Sequence, residues 1–99
     1  MKTSYIIILI YIFTYNNLHS QDEDIVAKFE ARTHSYKNFT LPYRLFIPEE
    51  YDPMKIYPLV LVLHGAGERG NDNLSHLQNG RLATSWADPI NQEKYPCFV

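Results

Sequence analysis

Cysteine is almost missing from this sequence: Cys97 is the only one in 99 residues. A lone thiol cannot close a bridge within the chain, so an internal disulfide framework is excluded. Cys97 is therefore expected to be a small buried apolar residue, with pairing to a cysteine outside these residues as the alternative. Basic excess is missing too. Nine Lys and Arg against eleven Asp and Glu give a formal charge of −2, which argues against a nucleic-acid partner, since that calls for a basic face. No apolar run approaches the roughly 20 residues that cross a bilayer. No His, Cys or acidic spacing matches a metal site, and there is no repeat or low-complexity tract.

What is present is an ordinary globular mixture, 45% apolar and 20% charged, which places the chain outside the disordered class. Its N-terminus has a distinct order. Met1-Lys2 is followed by the apolar run Tyr5–Phe13, then polar residues, then Leu18-His19-Ser20 before Gln21. A charged start, a short apolar core and a small exit residue are the parts of a secretory signal. Residues 1–20 are read as a cleaved signal peptide, and residues 21–99 as the N-terminal portion of one domain. The expected location is secreted or periplasmic, with no membrane span after signal removal. Two glycosylation sequons occur, at Asn38-Phe39-Thr40 and Asn73-Leu74-Ser75, and carry meaning only in a host that glycosylates.

Apolar residues then alternate. Ile25, Ala27, Phe29 and Ala31 share one face of an expected strand. Turn residues fill Thr33 to Asn38. Alternation resumes at Phe39, Leu41, Tyr43, Leu45 and Ile47, with Pro42 placing this strand at a sheet edge. The pair predicts an antiparallel hairpin. Pro48 to Tyr57 reads as a loop. Leu59-Val60-Leu61-Val62-Leu63 is apolar on both faces and reads as a parallel strand covered on both sides. Asn71-Asp72-Asn73 predicts a turn or helix cap. Leu74, Leu77 and Leu82 fit a short helix that Gly80 ends or interrupts. Asp88 to Pro96 reads as a loop, and Cys97-Phe98-Val99 as the opening of another strand. Five consecutive apolar residues need covering layers on two sides, and the chain offers one short helix. The expected fold class is therefore α/β and incomplete as a folding unit.

The strand runs directly into His64-Gly65-Ala66-Gly67-Glu68-Arg69-Gly70. Acyl transfer develops charge on an oxygen, and preset backbone N–H groups stabilise it. A loop serving that purpose must turn sharply and let substrate come close, which glycine permits. A strand ending in His-Gly-x-Gly is the arrangement that supplies such an N–H in α/β-hydrolases.

The stretches Leu41–Pro48, Tyr51-Asp52-Pro53, Tyr57–Gly70 and Lys94–Val99 together resemble the start of secreted esterases of the α/β-hydrolase superfamily. Those proteins are often described as predicted peptidases, dienelactone-hydrolase-like proteins or phospholipase/carboxylesterases. The resemblance runs from about Phe39 to Val99, and HGAGERG is its most specific part. It implies an α/β-hydrolase fold in which a hairpin leads into a buried parallel strand. It implies oxyanion donors at the backbone N–H groups of Ala66 and Gly67, with His64, Gly65 and Gly70 shaping the loop. It implies a small-molecule ester or peptide substrate for the intact enzyme, and no cofactor or metal.

One part of the pattern is lacking. No G-x-S-x-G surrounds any of Ser4, Ser20, Ser35, Ser75 or Ser85. The acid and histidine of such enzymes follow the nucleophile, so no catalytic triad residue is expected in this chain. His64 sits at the turn, and a structural hydrogen bond is its expected role. His34 and His76 are expected at the surface or at a cap.

Two other readings compete. Gly65-x-Gly67-x-x-Gly70 also fits a dinucleotide fingerprint, with Asp88 downstream. Against it stand the preceding hairpin, the Glu68 charge that would repel a pyrophosphate, and Asn71-Asp72-Asn73 where a packed helix should begin. The second alternative is a small secreted β-rich binding module without catalysis, whose Tyr and Phe side chains contact sugar or peptide.

Overall fold

The computed structural model describes residues 22–99; the signal-peptide reading of residues 1–20 lies outside them. The described chain opens in a helix, α1 (22–27). Strands β1 (Glu30–Tyr36) and β2 (Phe39–Leu45) follow, then a 3₁₀ turn at Ala66–Glu68. Three short helices come after it: α2 (Ser75–Gln78), α3 (Thr84–Ala87) and α4 (Pro89–Lys94).

The hairpin forms as expected, but its boundaries differ. β1 and β2 pair antiparallel from Glu30↔Leu45 to Tyr36↔Phe39. The turn is thus Lys37-Asn38 alone, with Lys37 at φ 52°, as a tight two-residue connection requires. The expected turn over Thr33 to Asn38 was too long. Pro42 stands opposite Thr33 in a two-stranded sheet, where every strand has a free edge. The expected strand at Ile25 to Arg32 is helical in its first part. Ile25 and Phe29 are both buried and four residues apart, which puts them on one side of a helical turn. Ala27 and Ala31 are exposed, so the period-two reading followed the wrong pair.

Beyond β2 the backbone continues into a small sheet-like junction. Phe46 and Val99 exchange both hydrogen bonds (2.9 and 3.2 Å), an antiparallel pairing. On the other side of the terminal segment, Val60 N–H donates to Phe98 O (2.8 Å) and Phe98 N–H to Pro58 O (2.9 Å). This makes Leu59 and Phe98 a parallel bridge. The last residues therefore insert between the continuation of β2 and the 58–63 segment. The parallel pair is joined by a crossover carrying α2, α3 and α4, as parallel pairing demands.

The core gathers at this junction. Ile25, Phe29, Phe46, Leu77, Ala83, Ala87, Cys97 and Val99 are buried, with Val26, Val60 and Val62 packed against them. The Phe29 and Phe46 rings lie 5.5 Å apart. Cys97 is buried with a free thiol. The strand expected over Leu59–Leu63 is reduced to extended chain with a single parallel bridge at Leu59, and it is covered on one side where two were expected. Val60 and Val62 face the core, whereas Leu59, Leu61 and Leu63 are 71%, 77% and 75% exposed. Side chains alternate across a strand, and nothing in the described chain lies over the leucine face.

The helices were only partly expected. α2 contains the anticipated Leu77, and Gly80 at φ 101° follows its end. The expected loop at Asp88 to Pro96 is in fact α4. Asp88 accepts the Ile90 N–H (2.9 Å) and Pro89 occupies the first helical position, a standard start signal. Gln92 on α4 then fastens the terminal segment. Its Nε2 donates to Trp86 O (2.7 Å) and Cys97 O (3.2 Å), and its Oε1 accepts from Cys97 N–H (3.3 Å).

Candidate active site at the turn after residues 58–63

The turn His64–Gly70 lies at the C-terminal end of the 58–63 segment, the end at which open parallel sheets place their ligand crevices. Gly65 has φ −85° and ψ −179° and leads into the 3₁₀ turn. Ala66 opens that turn, so its N–H has no partner inside it. Glu68 N–H closes onto Gly65 O (3.3 Å). His64, Gly65, Ala66 and Gly67 are all exposed. His64 Nδ1 bonds to Gly65 O (2.7 Å); a carbonyl only accepts, so the proton is on Nδ1.

The glycines differ in what they contribute. Gly70, at φ 133°, occupies backbone space that side chains rarely reach. Gly65 is ordinary extended backbone, and a Cβ there would stand 2.9 Å from the movable Glu68 Oε2. At Gly67 a Cβ would meet open space.

After Gly70 the chain is fixed by side chains. Asp72 Oδ1 accepts from Leu74 N–H (3.0 Å) and Ser75 N–H (3.2 Å), and Ser75 Oγ donates to Asp72 Oδ2. These bonds, led by the Ser75 hydroxyl, hold the Asp72 carboxyl below its ordinary value. Of the turn or helix cap expected for this cluster, the structure forms the turn: the Asp72 bonds lead into α2, whose N-cap residue Leu74 makes no side-chain cap bond. Arg44 on β2 donates through Nε to Asn73 O (2.7 Å) and through Nη1 to Phe29 O (3.0 Å). Asn73 Nδ2 in turn donates to Tyr43 O (3.0 Å). No sequence signal linked these residues, which are 29 and 30 positions apart.

His76 is half-buried beside this loop. Burial pushes its pKa below the usual 6.5; the Asp72 charge opposes that shift, and Arg44 and His64 add to it. His34 is exposed on β1. Leu41, Leu61, Leu63, His64, Asp72 and His76 line one open groove of about 560 Å³. Among the described residues no group of three or more His, Cys, Asp or Glu is placed to hold a metal ion, and no helix is long and apolar enough to cross a membrane.

The structure also bears on the sequence motifs left open. Asp88, the acidic residue of the dinucleotide reading, caps α4. The helix after Gly70 is only Ser75–Gln78. Of the two sequons, Asn38 sits exposed at the hairpin turn, whereas the Asn73 amide nitrogen is already committed to Tyr43.

No family model matches the chain, and neither does any curated protein sequence. Among solved structures, the chain is similar to a thermostable esterase. The match has 47% identity and a TM-score of 0.68, over 76% of this chain and 20% of that one. The chain thus spans a fifth of the length of this solved relative, and over that span its fold is esterase-like.

Proposed function

We propose that the turn His64–Gly70 is one half of an acyl-transfer site, with the backbone N–H groups of Ala66 and Gly67 as its oxyanion donors. The observation that carries this reading is the position of the turn. It follows the 58–63 segment, which pairs in parallel with Phe98, in a fold shared, at 47% identity, with an esterase. The intact enzyme is a secreted serine hydrolase of the α/β-hydrolase type, acting on carboxylic esters or peptides. As a serine oxygen of the intact enzyme bonds to the substrate carbonyl carbon, its proton passes to a general base and the C=O π electrons move onto oxygen, giving a tetrahedral intermediate whose oxyanion accepts hydrogen bonds from the preset N–H groups. The open space at Gly67 lets a substrate oxygen reach the backbone. The Nδ1–H of His64 binds the Gly65 carbonyl, so His64 shapes the turn and is not the base. Residues 1–20 direct export and are removed.

Proline supplies a clean test. It lacks an N–H, is tolerated at the first helical position, and needs an extended residue before it; Gly65 is extended. The matching residues of this chain are grafted in place of their counterparts in the thermostable esterase. Ala66→Pro in that chimera is expected to lower kcat by about 100- to 1,000-fold, as loss of one oxyanion donor does. Unchanged kcat in a folded A66P chimera would refute the assignment. The 99-residue chain alone is expected to release no nitrophenol from short acyl esters, because it carries no nucleophile elbow. Release that a serine-directed fluorophosphonate blocks would overturn that expectation.

A further inference from the structure

The turn His64–Gly70 is exposed and its own hydrogen bonds are few, so something outside it must hold the donors in place. The contacts after Gly70 supply such a hold. Arg44 and Asn73 form a reciprocal clamp: the Arg44 guanidinium bonds the Asn73 carbonyl (2.7 Å), and the Asn73 amide bonds the carbonyl of Tyr43, the neighbour of Arg44 (3.0 Å). A second arm of Arg44 reaches Phe29 O (3.0 Å), and Phe29 lies in the buried core. The clamp therefore ties the exit of the turn to both the hairpin and the core. Its geometry is kept at a cost. Asn73 sits at φ 54°, a region side chains rarely adopt and Asn tolerates best. Its Oδ1 is buried without a partner, which is unfavourable.

We infer that Arg44 and Asn73 are positioning residues, which fix the Ala66 and Gly67 N–H groups by anchoring the exit of the turn. This rests on the oxyanion reading of the turn. Arg suits the task because its planar fork bonds two carbonyls at once, which a lysine cannot reproduce.

The test has two arms. In the first, backbone ¹⁵N relaxation is measured on the full chain. Ala66 and Gly67 are expected to show order parameters near about 0.85, the value of rigid backbone. Asn73→Gly keeps the positive φ and the carbonyl but removes the amide bond, and Arg44→Lys removes the fork. Each is expected to drop the turn below about 0.6 while Thr33 and Leu41 in the hairpin stay unchanged. An already mobile turn, an unmoved turn, or equal loosening of turn and hairpin would overturn the inference. In the second arm, the same variants are made in the esterase chimera. Loosened donors are expected to lower kcat by about 10- to 100-fold, the scale of a small misplacement, with KM changed less than about threefold and R44K retaining more activity than Arg44→Ala. A turn that loosens while kcat stays level would spare the clamp and sink the oxyanion reading. A turn that stays rigid would sink the clamp alone.

Discussion

The two faces of residues 59–63 have nearly the same composition and opposite surroundings. Val60 and Val62 are partly buried against the core cluster, while Leu59, Leu61 and Leu63 stand about three-quarters exposed. Hydrophobicity alone did not decide which face would be covered. The closing of the terminal segment between residue 46 and residue 60 decided it, because that pairing brings the crossover helices over the valine side only. The same asymmetry sets the turn's character. His64–Gly67 leaves the end of this segment exposed, while its exit is fastened to the hairpin and the core by Arg44.

The comparison can be broken from the covered side first. Phe46 is 2% exposed and touches the Phe29 ring. Phe46→Ala is expected to cost about 3–5 kcal/mol in denaturant unfolding; a cost near zero would mean that the junction is not the core. Val60→Ala comes next, at about 1–1.5 kcal/mol for two carbons partly buried against the core. Asp88→Ala removes the α4 cap and is expected to cost about 1 kcal/mol, seen as a parallel shift of the denaturation midpoint. Leu61→Ala deletes more carbon than Val60→Ala, yet is expected to stay within about 0.5 kcal/mol, because its side chain is already in water. A reversed order of the Val60 and Leu61 variants would invert the assignment of the two faces.

Acid titration sharpens the same boundary. The His76 pKa is lowered on folding, so the unfolded chain takes up the proton first as pH falls. Stability is expected to be full above 6.5, to fall as pH drops below that value, and to level off below the folded pKa. The half-buried site has this cost because charging His76 requires desolvating it. Asp72→Asn removes the charge that favours imidazolium, so NMR titration should find the His76 pKa lower still. An upward move would contradict the arrangement. Asp72 itself is depressed in the fold by its hydrogen bonds to Ser75 and Leu74, so the stability they contribute is full above about 3.8 and is lost as pH falls through its folded pKa.

Local patterns carried much of this architecture. The hairpin, its Pro42 edge, the turn at Asp72 and the burial of Cys97 each follow from residues within a few positions. Errors arose where two periods fit the same short stretch. Ile25 and Phe29 satisfy a strand and a helix alike until Ala27 is known to be exposed. The Asp88-Pro89 start signal of α4 is present in the sequence, inside a stretch whose Pro and Asn content also fits a loop. Other features had no local signal. The Arg44–Asn73–Tyr43 clamp joins residues from distant parts of the chain, and the open leucine face depends on which segments pair. For the candidate site, the sequence located the turn, and the structure separated its glycines. Only Gly70 needs its positive φ, whereas Gly65 is ordinary extended backbone and Gly67 leaves open space.

The central claim, that the Ala66 N–H faces a developing oxyanion, is tested most directly by the A66P chimera under saturating ester substrate. A folded chimera that loses about 100- to 1,000-fold in kcat, with its thermal midpoint little changed, is the predicted result. A folded A66P chimera that turns over as fast as its parent would contradict it.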